Sequence, residues 1–149
     1  MKLYCGIDPG WSGGIAFIDE NSNYVASYLC PATPQEMANC LSYYALPDFV
    51  GIEAVHSFPK QGVSSTWKFA SNFGMWFGIL ATLKISYELI SPAKWIRFIG
   101  GAKKGESKEQ AWLYSSRRWP DAPLKLKRHS AIAEALVLAE MARMLKKGK

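Results

Sequence analysis

Three carboxylates stand where a charge is hardest to explain. Asp8 closes the apolar run KLYCGID, Glu53 closes DFVGIE, and Glu134 lies inside RHSAIAEALVLAEMA. Between Ala131 and Ala142 the charged residues are Glu134 and Glu140 alone. A helix apolar almost all the way round is normally buried, and a buried carboxylate either neutralises or finds a cation. Glu140 falls roughly 120° further round the helix than Glu134 and is expected to reach the surface. Each of the three has an ordinary alternative: Asp before Pro-Gly favours a turn, Glu53 can end a partly exposed strand, and Glu134 can pair with a Lys or Arg. One arrangement accounts for all of them together. Two central strand ends and one packed helix bring three carboxylates to a point, and an all-oxygen donor set suits Mg²⁺ or Mn²⁺ rather than soft metals. A cation held there can activate a bound water at neutral pH. His129 is a candidate for positioning or deprotonating the water, with a plain helix-entrance residue as the equal alternative.

The elements that must position these residues follow from the patterning. Residues 2–8 read as a buried strand ended by Pro9-Gly10, residues 14–19 as its hairpin partner across a short glycine-containing turn, and residues 24–30 as a third strand. Thr33-Pro34-Gln35-Glu36 marks a helix start running to about residue 44. Residues 48–53 form a short apolar strand, followed by a Pro- and Gly-containing loop over 55–63 and a long helix over about 64–83. A strand at 86–90 and a short helix opened by Pro92 come next. The basic loop at 100–107 precedes a helix that Ser107 is expected to cap, and the last helix covers about 128–146. Three meandering strands joined to parallel strands through helices predict an α/β fold: a mixed five-stranded sheet with helices on both faces, in a single domain over 1–149.

Lys and Arg number 18 against 12 Asp and Glu, a net charge of +6. That balance suits a polyanion, nucleic acid first. The basic residues concentrate between Lys94 and Arg128, among them Lys103, Lys104 and Lys108. Cys5, Cys30 and Cys40 show no metal-binding spacing, and with two histidines in the chain a structural zinc site is not expected. No apolar run has the length of a membrane span and no signal-peptide pattern opens the chain, so no membrane association and a cytoplasmic location are expected.

GIDPG near the first strand, GIE ending the fourth and HSAIAEALVLA in the last helix resemble the RuvC-like Holliday junction resolvases of the RNase H-like nuclease fold, most closely the small phage-encoded type. FPKQGVSS (58–65) and SPAKWIRFIGGAKKGESKEQA (91–111) are similar to that family's junction-contacting loop and basic segment. The resemblance implies a Mg²⁺-dependent crossover junction endonuclease, with Asp8, Glu53 and Glu134 as ligands of two ions. It also implies a fourth acidic residue one turn before Glu134; this chain has Ser130 there. Hence the competing reading, a catalytically weakened or silent module that binds branched DNA. The implied DNA contacts are Phe58, Lys60 and Gln61 in the loop, for stacking on unpaired bases, and Lys94, Lys103, Lys104 and Lys108 for phosphates. The long helix carries Trp67, Phe69, Phe73, Trp76, Phe77 and Leu80; what the core leaves uncovered suits a homodimer, whose two-fold symmetry would match a four-way junction.

Overall fold

The computed structural model describes residues 1–55 and 60–148. A five-stranded sheet in the order β3-β2-β1-β4-β5 carries the molecule. β1 (Leu3–Asp8), β2 (Gly14–Asp19) and β3 (Tyr24–Leu29) form an antiparallel meander. β4 (Phe49–Glu53) runs parallel to β1, and β5 (Tyr87–Ile90) parallel to β4. The helices are α1 (Pro34–Ser42), α2 (Val63–Thr82), α3 (Pro92–Phe98), α4 (Ser107–Arg118) and α5 (Ser130–Lys147). The expected mixed sheet with helices on both faces is therefore present.

Local chemistry explains where the helices start. Thr33 caps α1, its hydroxyl accepting the Glu36 N–H at 3.2 Å with Pro34 in the first turn. Ser91 caps α3 in the same way through the Lys94 N–H. Ser107 differs from expectation: it is the first residue of α4, and Glu106 occupies the cap position with no side-chain bond. The last helix also starts later than expected. A 3₁₀ turn, Lys127–His129, precedes it, closed by the Leu126 N–H donating to His129 Nδ1 at 3.2 Å.

Strand alternation divides the core into two layers. Leu3, Cys5 and Ile7 of β1 pack with Met37 and Leu41 of α1 and Trp76 and Leu80 of α2. Tyr4 faces the opposite side, against Ile132, Ala135, Leu136 and Ala139 of α5. By the same two-residue repeat Gly6 and Asp8 share the α5 face, and so do Phe49, Gly51 and Glu53 of β4.

On that face α5 lies at main-chain contact with the sheet. A Cβ on Gly6 would stand 1.8 Å from the Ala135 carbonyl oxygen and 2.5 Å from the Ala139 nitrogen. One on Gly51 would meet the Leu138 carbonyl oxygen at 2.6 Å, and one on Gly14 the Ala131 carbonyl carbon at 3.0 Å. Gly6 and Gly51 are register partners across β1 and β4. The glycines on three adjacent strands thus form a seam along which the α5 backbone at Ala131, Ala135 and Leu138 meets the sheet, with the Ile90 side chain beside Gly51.

Candidate active site

β1 and β4 are parallel neighbours, so their C-terminal ends lie on one edge of the sheet, and each ends in an acid. Asp8 follows Gly6 by two residues and Glu53 follows Gly51 by two, which places both carboxylates on the face that α5 covers. Glu134 precedes Ala135, the residue whose carbonyl lies over Gly6. Glu53 and Glu134 are buried and Asp8 half-buried. The Asp8 and Glu134 carboxyl groups are hydrogen-bonded to each other, and the charge of Glu53 reaches Asp8.

The electrostatics are those of an acidic cluster short of positive charge. Burial, followed by the charges of Glu134 and Glu53, pushes Asp8 well above the ordinary carboxylate range. Burial also raises Glu134, against the opposing hydrogen bond from Asp8. A hydrogen bond between two carboxyl groups requires one proton, so Asp8 and Glu134 share one between them. Burial moves Glu53 from 4.5 up to about 7, although the Trp95 indole donates to it and acts in the other direction. Lys108 is a cation whose charge reaches all three carboxylates.

Glu140 corrects the expectation that it reaches solvent: it is 6% exposed. Arg143 binds it through Nε at 2.8 Å and through a second nitrogen at 2.7 Å, and the Ser22 hydroxyl donates at 2.7 Å. Burial raises its pKa, but the Arg143 and Ser22 bonds outweigh this and hold it below the ordinary value. Two acids of one buried helix thus meet opposite fates, one neutralised by an arginine one turn away and the other by a proton shared with a second acid.

Two residues with no assigned role hold this edge in place. Trp95, buried on α3, donates from Nε1 to Glu53 Oε2 at 2.5 Å and so orients that carboxylate. Asn72, buried on α2, accepts the Gly10 N–H at 2.7 Å and donates to Cys30 Sγ at 3.3 Å. It ties the Pro9-Gly10 turn after Asp8 to the opposite helix layer. Gly10 has φ +113°, a conformation that favours glycine. A polar Asn on the apolar stripe of α2, four residues before Trp76, was the available signal.

Lys94, Lys103, Lys104 and Lys108 are exposed on the segment from α3 to the first turn of α4. Lys94 follows the end of β5 on the same sheet edge as the acids. Lys60 is exposed and Gln61 half-buried just before α2; Phe58 lies outside the described residues. His129 is engaged through Nδ1 in the turn before α5. Ser130, the first residue of α5, stands one turn before Glu134 and lines a pocket together with Lys108. Among the described residues no group of three or more His, Cys, Asp and Glu side chains is arranged to hold a metal ion. The donor set itself fits a hard divalent cation, being all oxygen, largely buried and short of positive charge.

Solved structures with this architecture are clear. A Thermus thermophilus RuvC in complex with a Holliday junction substrate superposes with a TM-score of 0.68 at 17% identity, covering 99% of this chain and 97% of that one. The chain has the RuvC fold. Another Thermus thermophilus RuvC structure matches with a TM-score of 0.69 at 18% identity, over 98% of this chain and 96% of that one. The fowlpox virus Holliday junction resolvase matches with a TM-score of 0.63 at 16% identity, over 99% of both chains. No family model and no curated protein sequence matches the chain. The RuvC fold thus extends over the whole chain, with Asp8, Glu53 and Glu134 at one edge of its sheet.

Proposed function

We propose that the chain, as one nuclease domain over residues 1–149, is a divalent-metal-dependent endonuclease that cuts four-way junctions and related branched DNA. The observation that carries this reading is the buried meeting of Asp8, Glu53 and Glu134 at the carboxyl edge of a RuvC-fold sheet, where the same helix neutralises its other acid with an arginine. A structural role for three acids would call for that kind of pairing. The two RuvC-fold structures named with junction substrate, from Thermus thermophilus and fowlpox virus, supply the substrate class.

Asp8, Glu53 and Glu134 would hold two Mg²⁺ ions, or Mn²⁺ in their place. Bound there, the ions would supply an activated water and neutralise the leaving oxygen in phosphodiester hydrolysis. The Asp8–Glu134 pair gives up its shared proton when the cluster is charged, Trp95 keeps Glu53 aimed at the cluster, and Lys108 adds the positive charge that draws a phosphate to it. Lys94, Lys103 and Lys104 bind flanking phosphates, and Phe58, Lys60 and Gln61 meet the branch point. His129 or Ser130 positions the attacking water. Pairing of two copies through α2 would set two sites on opposing strands. The support is an aromatic file on its half-buried side, where Phe69 stacks on Phe73 at 6.0 Å and Phe73 meets Phe77 edge-on at 4.6 Å. Trp76 is not available for that surface, being fully buried in the core. Among the described residues no helix is long and apolar enough to cross a membrane, and the proposed site of action is cytoplasmic DNA.

Ser130 favours the second reading, a weakened or silent junction-binding module, because a neutral hydroxyl replaces a fourth ligand charge. A labelled four-way junction, incubated with and without Mg²⁺, separates the two. Cleavage lost in Asp8→Asn with junction binding kept supports the nuclease. Binding without cleavage by the unmodified protein supports the module.

A further inference from the structure

A pocket of about 450 Å³ opens between α4 and the segment that leads into α5. Its walls include Trp112, Leu126, Lys108, Lys125, Lys127 and Ser130, with Glu109 as the acid among them. Trp112 and Leu126 are 39% and 48% exposed, so apolar surface faces the opening. The indole is held as a plate: Nε1 donates to the Leu124 carbonyl at 2.7 Å, and Leu124 is itself a core residue. The pocket adjoins the carboxylates, because the charge of Lys108 reaches all three and Ser130 lies one turn before Glu134.

The geometry points to a nucleotide-binding pocket, in which one base of the cleaved strand, next to the scissile phosphate, stacks on Trp112 while Lys125 and Lys127 hold its neighbouring phosphates. This deepens the junction-nuclease reading and rests on it. Several observations select this occupant. A fixed, half-exposed indole offers a face to any base without sequence preference. Three lysines against one glutamate leave the walls positive beside the apolar surface of Trp112 and Leu126, which suits an aromatic base joined to a phosphodiester. The volume lies within the range of small-ligand sites, roughly 300–1,000 Å³. A strand running from the pocket past Lys108 arrives at the acids, so a base seated on Trp112 would fix the register of the backbone over them. Trp112 and the two lysines are in this account positioning residues.

The test uses four-way junctions carrying single 2-aminopurine substitutions within three nucleotides of the crossover, with the whole protein in EDTA. Binding is expected to quench the probe at one position. Trp112→Ala should abolish that quench, Trp112→Phe should keep most of it, and overall junction affinity should change far less than the quench. In Mg²⁺, an abasic site at the same position should slow cleavage by about tenfold or more, the size of one base–aromatic stack. It should have little further effect in Trp112→Ala. If Trp112→Ala does not fold, Lys125→Glu/Lys127→Glu carries the test, since both residues are exposed: loss of the quench at protein concentrations where the junction is still bound supports the pocket. An unchanged quench in either folded variant, or additive effects of the abasic site and Trp112→Ala, overturns it. Failure of the unmodified protein to bind any junction instead overturns the underlying functional reading.

Discussion

Removing the charge of Glu53 should flatten the pH dependence of the metal-free protein's stability. Its carboxyl titrates at about 7 in the fold against an ordinary 4.5, chiefly through burial. Below pH 4.5 the group is protonated in the folded and unfolded chain alike, so the full stability is present. Between 4.5 and 7 the folded chain keeps a proton that the unfolded chain has lost, and each pH unit removes about 1.4 kcal/mol. Above 7 the loss is complete, at about 3 kcal/mol from Glu53 alone. Asp8 and Glu134 are raised as well and act in the same direction. Thermal melts in EDTA at pH 5 and pH 8 should therefore show the unmodified protein weaker at pH 8. Glu53→Gln, whose amide oxygen can still accept the Trp95 indole proton, should match the parent at pH 5. At pH 8 it should melt higher by about 6–12 °C, given about 2–4 °C per kcal/mol for a chain of this size. Mg²⁺ should close most of that gap at pH 8, stabilising the parent by about 2.7 kcal/mol at a hundredfold excess over its dissociation constant and Glu53→Gln by much less. Parallel pH profiles for the two proteins, or a parent that gains stability as pH rises, would refute the reasoning.

Gly6→Ala should destabilise the fold by about 3 kcal/mol or more, since its methyl would overlap the Ala135 carbonyl; denaturant unfolding measures this, and a near-neutral result would dissolve the seam between α5 and the sheet. Lys104→Ala should weaken junction binding and reduce the slope of log affinity against log salt by about one, with an unchanged slope removing Lys104 from the contact surface. Ser130→Asp should raise Mg²⁺-dependent junction cleavage by at least the roughly tenfold that even an outer partner of a metal ligand carries; cleavage equal to the parent would take position 130 out of the site.

The strand alternation, the cap at Thr33, the helix start at Pro92 and the order of elements are local chemistry, and they were legible. So was the trio of acids, because charge in an apolar run is conspicuous wherever it occurs. The fate of Glu140 was misjudged although its partner stands three residues on: an arc round the helix says which way a side chain points, whereas the Arg143 pairing decides whether it can stay inside. Glycine two residues before an acid occurs in both CGID and VGIE, and that repeat already contains the shared face of Asp8 and Glu53. Trp95 was beyond reach, because its partner is 42 residues away along the chain; Asn72 was conspicuous on the apolar stripe of α2, but its partner Gly10 is 62 residues away and only the folded topology makes them neighbours. Trp76 looked like its aromatic neighbours on α2, and what sets it apart is the buried stripe it shares with Asn72 and Leu80, one position round the helix from the half-buried Phe69, Phe73 and Phe77.

The glycine–alanine seam makes the spacing of the site a main-chain quantity. Where side chains separate a helix from a sheet, a lost methyl or a changed rotamer is absorbed by a small shift of the helix. Here the α5 backbone itself lies against the strands at Gly6, Gly14 and Gly51, with the Ile90 side chain beside Gly51. Hydrophobic substitutions elsewhere in either core layer can therefore accumulate without altering the separation of Glu134 from Asp8 and Glu53. Tolerance to mutation should accordingly be sharply uneven: broad across Leu, Ile and Val positions, and nearly nil at three glycines that carry no functional group at all.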